Sequence, residues 1–77
     1  PYINDILNIQ FRLINASTFE IQIYDITGKL VYQDSDKETY SEGVHKKAID
    51  ANFLPSGTFI IKTISNDGIS SIKLIKK

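Results

Sequence analysis

Apolar and polar residues alternate along most of this chain, with the period of two that belongs to strands. Leu7, Ile9, Phe11 and Leu13 alternate with Asn8, Gln10 and Arg12, giving one apolar and one wet face. Asn15-Ala16-Ser17-Thr18 predicts a turn, after which Phe19, Ile21 and Ile23 resume the apolar face. The alternation breaks at Asp25-Ile26-Thr27-Gly28. Aspartate bonds backbone two residues on and glycine accepts positive φ, so the break predicts a hairpin. Leu30-Val31-Tyr32 returns from it, with Tyr24 and Tyr32 placed to pair across it. Leu54-Pro55-Ser56-Gly57 predicts a second turn. The strand from Thr58 to Ile64 follows, and its run Phe59-Ile60-Ile61 is the pattern of a strand covered on both faces. Asn66-Asp67-Gly68 predicts a last hairpin into a strand from Ile69 to Lys77. There Ile72 and Leu74 share one face, and Lys73 and Ile75 the other.

Two stretches are more polar. Asp34 to Gly43 has no periodicity and predicts a loop. Its Asp34 and Asp36 open like a calcium loop, but the glycine comes late and Lys37 stands among the ligand positions, so a solvated loop is the stronger reading. Val44 to Ala51 predicts a strand near a sheet edge, with His45, Lys46 and Lys47 exposed and Ile49 and Ala51 turned inward. No window carries apolar residues at helical spacing. Six to seven short antiparallel strands separated by turns predict an all-β, immunoglobulin-like β-sandwich.

Size and composition narrow what this fold can do. Seventy-seven residues make one domain, and a chain this short buries only about 60–65% of its unfolded surface. There is no cysteine, so neither disulfides nor thiolate metal sites enter. Nine basic residues balance nine acidic ones, which argues against a nucleic-acid partner. No apolar run reaches the roughly 20 residues of a membrane-spanning helix, which argues against direct membrane insertion. The chain opens without an initiator methionine or signal peptide and is expected to be a piece cut from a larger protein.

Candidate chemistry is sparse. His45 is the sole histidine, and Ser41 and Asp50 near it do not form a triad on a strand that alternates faces. Asp34, Asp36, Glu38 and Glu42 lack a pocket that would shift them toward acid–base work. The four glycines sit singly at turns, which leaves no phosphate loop, and no zinc ligand set is present. We therefore expect no catalytic residue, cofactor or metal, and a protein that is not an enzyme. Tyr2, Tyr24, Tyr32 and Tyr40 have two readings: a sugar- or protein-binding face, or caps on a thin core with their hydroxyls in water.

The hairpin and the second turn together carry a resemblance. Ile23-Tyr24-Asp25, Gly28-Lys29, Val31, Ile49-Asp50, Leu54, Gly57, Phe59 and Lys73-Leu74-Ile75 fall in order along the chain. Pro1 to Ile9 precedes them as an opening of the N-P-x-x-D-x-L-x-I kind, without its asparagine. In this it resembles the type A C-terminal sorting domain of the type IX (Por) secretion system of Bacteroidetes, over nearly its whole length. The resemblance implies an Ig-like sandwich spanning residues 1–77 as a single C-terminal sorting domain of a secreted protein. It implies a non-catalytic sorting signal that passes through the periplasm and outer membrane and leaves its cargo secreted or on the cell surface. The implied partners are the type IX translocon, shuttle proteins and a surface sortase that removes the domain upstream, near or before Pro1. The implied recognition residues are Asp25, Gly28, Lys29, Leu54, Pro55, Gly57, Lys73, Leu74, Lys76 and Lys77. The terminal lysines read as a solubilising end or, by the resemblance, as a basic strand that the machinery recognises; reading it by strand addition to an unpaired edge is our own expectation. Freed from its cargo, the isolated domain can pair with a second copy through uncovered edges. The alternative is a fibronectin-like accessory module that binds polysaccharide or protein through its tyrosines.

Overall fold

A computed structural model describes residues 2–3, 5–34 and 39–77. Pro1, Asn4 and the segment 35–38 lie outside it, and with them Asp36 of the calcium-loop reading. Eight strands follow one another: β1 (Tyr2–Ile3), β2 (Ile6–Leu13), β3 (Ser17–Asp25), β4 (Leu30–Asp34), β5 (Thr39–Tyr40), β6 (Gly43–Asp50), β7 (Gly57–Ser65) and β8 (Gly68–Lys76). The six long strands are the ones predicted by alternation. The two-residue strands β1 and β5 were not predicted, because two residues carry no period. Thr39–Tyr40 lies within the expected polar loop and pairs with Ser17 and Thr18 of β3, while Tyr40 packs on the core.

The strands form two layers. One sheet runs β1-β8-β7-β3-β4, with β5 added to β3, and the other is β2-β6 alone. The order β8-β7-β3-β4 opposite β2-β6 matches strands G-F-C-C′ opposite B-E of an immunoglobulin-like sandwich. All pairs are antiparallel except β1 with β8, which run parallel.

Alternation decides what is buried. Leu7 and Leu13 of β2, Phe19, Ile21 and Ile23 of β3, and Phe59 and Ile61 of β7 meet between the layers, together with Ile49, Ala51, Leu54 and Leu74. Phe11 stacks on Phe19 with ring centroids 3.6 Å apart, which seats β2 over the middle of the larger sheet. The apolar run in β7 is not covered on both faces as the sequence suggested. Ile61 is 1% exposed but Ile60 is 38% exposed, because β7 is central within its sheet while, among the described residues, no second layer covers that sheet's outer side.

Two side chains expected in solvent on β6 turn inward. Register pairs Phe11 with His45 and Ile9 with Lys47, so both follow the inward face of β2. His45 is half-buried between Phe11 and Tyr40, and its Nε2 donates to the Ser41 carbonyl at 2.7 Å. Lys47 pairs with the Asp34 carboxylate. Burial works against its charge, but the bond and charge of Asp34 outweigh that and hold its ammonium above the usual lysine range.

The far end of the sandwich is closed by turn-to-turn hydrogen bonds. Asn66 N–H donates to the buried Ser17 hydroxyl at 2.9 Å, and Ile14 N–H donates to Asp67 Oδ2 at 2.9 Å. Between these bonds and the opposite end lies a single apolar layer, so core truncations should be costly. Ile61→Ala is expected to lower the unfolding free energy by roughly 2–5 kcal/mol. Ile60→Ala, one position along on the open face, is expected to cost about 1 kcal/mol or less. Urea unfolding followed by circular dichroism distinguishes the two.

Candidate recognition surface

The hairpin between β3 and β4 is held by one carboxylate. Asp25 Oδ1 accepts from Thr27 N–H at 2.9 Å, Thr27 Oγ1 at 2.6 Å and Lys29 N–H at 3.0 Å. The backbone closes the same loop, with Gly28 N–H on the Asp25 carbonyl at 3.0 Å and Asp25 N–H on the Lys29 carbonyl at 2.9 Å. Gly28 has φ +91°, a conformation that a side chain disfavours. The D-x-x-G-K spacing is thus the spacing of a carboxylate that can reach three donors across a tight loop.

The turn between β6 and β7 is built the same way. Asp50 Oδ1 accepts from Asn52 N–H at 3.0 Å, and Leu54 N–H donates to the Ala51 carbonyl at 3.1 Å. Leu54 plugs the core from this turn, whereas Pro55 and Gly57 are exposed. Its neighbour Phe53 projects outward at 51% exposure, with its ring 5.4 Å from that of Tyr32.

Strand register brings these turns together with the C-terminal strand. Asp25 pairs with Phe59 and Phe59 with Leu74. Tyr24 pairs with Ile60 and Ile60 with Lys73, while Gly57 pairs with Lys76. The ten residues singled out in the sequence therefore gather at one end of the sandwich. Their side chains take different parts. Lys29, Lys73, Pro55 and Lys77 are on the surface, and Asp25 and Gly28 shape a loop. Leu74 is fully buried, out of reach of anything docking on the folded domain.

Lys76 is also inside, at 7% exposure. Its Nζ donates to the Ala51 carbonyl at 2.8 Å, and Ala51 N–H donates to the Asp5 carbonyl at 2.7 Å. The C-terminal strand, the Ala51 turn and the entry to β2 are thereby tied at one residue. The tip Ile75–Lys76 also pairs with β7 on one side and β1 on the other. It offers no free edge, so the strand-addition idea fails at the tip. From Gly68 to Leu74, β8 pairs only with β7 among the described residues.

Sequence reasoning missed the apolar part of this end. Ile26, at the hairpin apex, is 80% exposed. It borders a cleft of about 440 Å³ that Val31, Phe53, Pro55 and Thr58 also line. An isoleucine in a turn that favours polar residues, and a phenylalanine two positions before a proline, were the available signals.

Among Tyr24, Tyr32 and Tyr40 no exposed tyrosine face forms, and the Tyr2 side chain lies outside the described ones. Register sets Tyr32 opposite Ile23 and, past a shift, Tyr24 opposite Leu30, so Tyr24 and Tyr32 do not pair and their side chains lie on opposite faces of the sheet. The Tyr24 hydroxyl meets Gln22 Oε1, Tyr32 packs against the core, and Tyr40 lies with Phe11 and His45.

The Asp25 carboxyl is held below the usual carboxylate range, chiefly by the Thr27 hydroxyl and then by Lys29 N–H, with burial opposing them. A depressed folded-state pKa adds stability that is present above the unfolded value and lost as pH falls through the folded one. Thr27→Ala is expected to move the Asp25 titration up toward the ordinary aspartate value. Asp25→Asn should remove this contribution to the acid dependence of melting temperature. Carboxyl-detected NMR titration and thermal melts in acid check both.

The family described as "secretion system C-terminal sorting domain" matches residues 3–77. No curated protein and no solved structure matches the chain.

Proposed function

The chain belongs to the type IX secretion C-terminal sorting domain family, and we propose that the secretion machinery reads it at the end of the sandwich where the family's motif positions converge. Its role is that of a non-catalytic C-terminal secretion sorting signal, and such a signal implies export to the cell surface or beyond. What supports the finer reading is a single observation. Motifs distant in the sequence line one cleft, made of residues 25–27 of the hairpin and the segment 53–59, at the end of the sandwich where β8 carries Lys73. Several of these residues serve the fold, so the motif records both a shape and what the shape presents.

The hairpin is rigid because its carboxylate bonds it internally, and a rigid apex loses little entropy when bound. Ile26 and Phe53 supply exposed apolar anchors, Lys29 supplies charge at the base of the hairpin, and Lys73 stands exposed on the outer face of the sheet at the same end. Such a surface suits a protein partner with an apolar site and acidic surroundings. In this reading the translocon and a shuttle protein of the outer membrane bind the folded domain after it reaches the periplasm. A surface sortase then cuts upstream of β1, and the domain is the substrate of that step. The accessory-module alternative loses its support, because Tyr32 and Tyr40 pack against the core while Tyr24 lies on the other face, so the three do not present one exposed surface.

Deleting Lys73 to Lys77 does not test recognition. It also removes the fully buried Leu74 and the Lys76 bond to Ala51, and so attacks the fold itself. Exposed apolar residues are the better probes. The 77-residue domain would be fused to a periplasm-targeted fluorescent protein in a type IX-competent bacterium. Ile26→Asp with Phe53→Asp is expected to leave the melting temperature nearly unchanged and to trap the fusion in the periplasm. Export at the unaltered level from a folded double variant would refute this surface as the one read.

A further inference from the structure

The two layers are unequal, and the smaller one ends early on its β2 side. Among the described residues β2 pairs only with β6, so its outer edge has no strand partner. The larger sheet continues beyond it. Ile61 on β7 is 1% exposed, but its register partner Ile72 on β8 is 53% exposed although both face inward. The cover therefore stops between β7 and β8. An open groove of about 440 Å³ results, walled by Ile9 and Phe11 of β2 and floored by Ile61, Thr63, Ser70 and Ile72. In an immunoglobulin-like sandwich the position beside strand B belongs to strand A. Here β1 takes only the place against β8, and the place beside β2 stands open among the described residues.

We propose that this groove is a slot for one extended peptide strand, which adds to the free edge of β2 and completes the smaller sheet. Three observations fix the chemistry of the occupant. The β2 edge is a backbone ladder, so it takes an extended strand rather than a helix or a small molecule. The floor alternates apolar Ile61 and uncovered Ile72 with the hydroxyls of Thr63 and Ser70, so the occupant's inward side chains are apolar over the isoleucines and small or hydroxylated elsewhere. On the other face Arg12 has no ion-pair partner among the described residues, so an acidic side chain across from it is favoured.

The overhang of β8 also decides against a folded second copy. For two β2 edges to meet about a two-fold axis, each domain's β8 would have to occupy the layer and position of the other's β7. The edge is recessed against another sandwich but open to a single strand. This slot is separate from the surface proposed for sorting, and either proposal can fail without the other.

The test uses NMR on the 77-residue domain. The probe is a synthetic peptide of alternating valine and threonine carrying one glutamate, and its control has proline at every second position. Saturable shifts of β2 amides and of the Ile72 methyls with the probe alone are expected. Hydrogen exchange should slow at alternate β2 amides. Ile72→Arg sits on an uncovered side chain, so it should keep the melting temperature while weakening binding about tenfold or more. Absence of saturable shifts, shifts confined to other strands, or equal binding by the proline control would overturn the proposal. So would a concentration-dependent dimer through β2, which would show a second copy as the occupant.

Discussion

The register among β3, β7 and β8 is the constraint on which the rest depends. It sets Asp25 beside Phe59 and Phe59 beside Leu74, and it brings Gly57 against Lys76. Because side chains alternate, a slip of one residue would turn Phe59 and Ile61 outward and put Ile60 in the core. The observed register buries Ile21, Ile23, Ile61 and Leu74 together. The same register carries the hairpin, the Leu54 turn and the terminal strand to one end. The apolar core and the convergence of the motif are one arrangement.

The sandwich is thin and lopsided, with two strands covering six. Its ends are therefore closed by polar ties. At one end Ser17 and Asp67 join two turns, and at the other Lys76, Ala51 and Asp5 join the last strand to the first long one. An ammonium with its stem packed and its head on a carbonyl is well suited to a site where the core has run out. This end is pinned by the same chain terminus that completes it. Surface and fold are thus hard to separate by truncation, while single exposed residues separate them cleanly.

Much of this was legible in the sequence where alternation and turn chemistry agree. Leu7 to Leu13 announced β2, and Asp25 with Gly28 announced the first hairpin. What escaped was set by partners distant in sequence. Ile60 looked buried because a run of three apolar residues does not say which faces are covered. Tyr24 and Tyr32 looked paired because both flank the hairpin, whereas the register sets Tyr32 opposite Ile23, on the other face from Tyr24. His45 and Lys47 looked solvated, and Lys76 looked available to a partner, because their charge says nothing about the inward register that places them. Of the surface, the loop-forming residues were legible from turn chemistry, while Ile26 and Phe53 were passed over as ordinary apolar residues.

The most direct measurement of whether this end is the one read is site-specific photo-crosslinking during export. A photoreactive side chain would be placed at Ile26, Phe53 or Val44 of a cargo fusion in type IX-competent cells. All three positions are exposed, and Val44 lies at the opposite end of the sandwich. Adducts to outer-membrane secretion components from Ile26 and Phe53, and none from Val44, are the expected result. Adducts from Val44 alone, or equally from all three, would contradict recognition at the end where the motif converges.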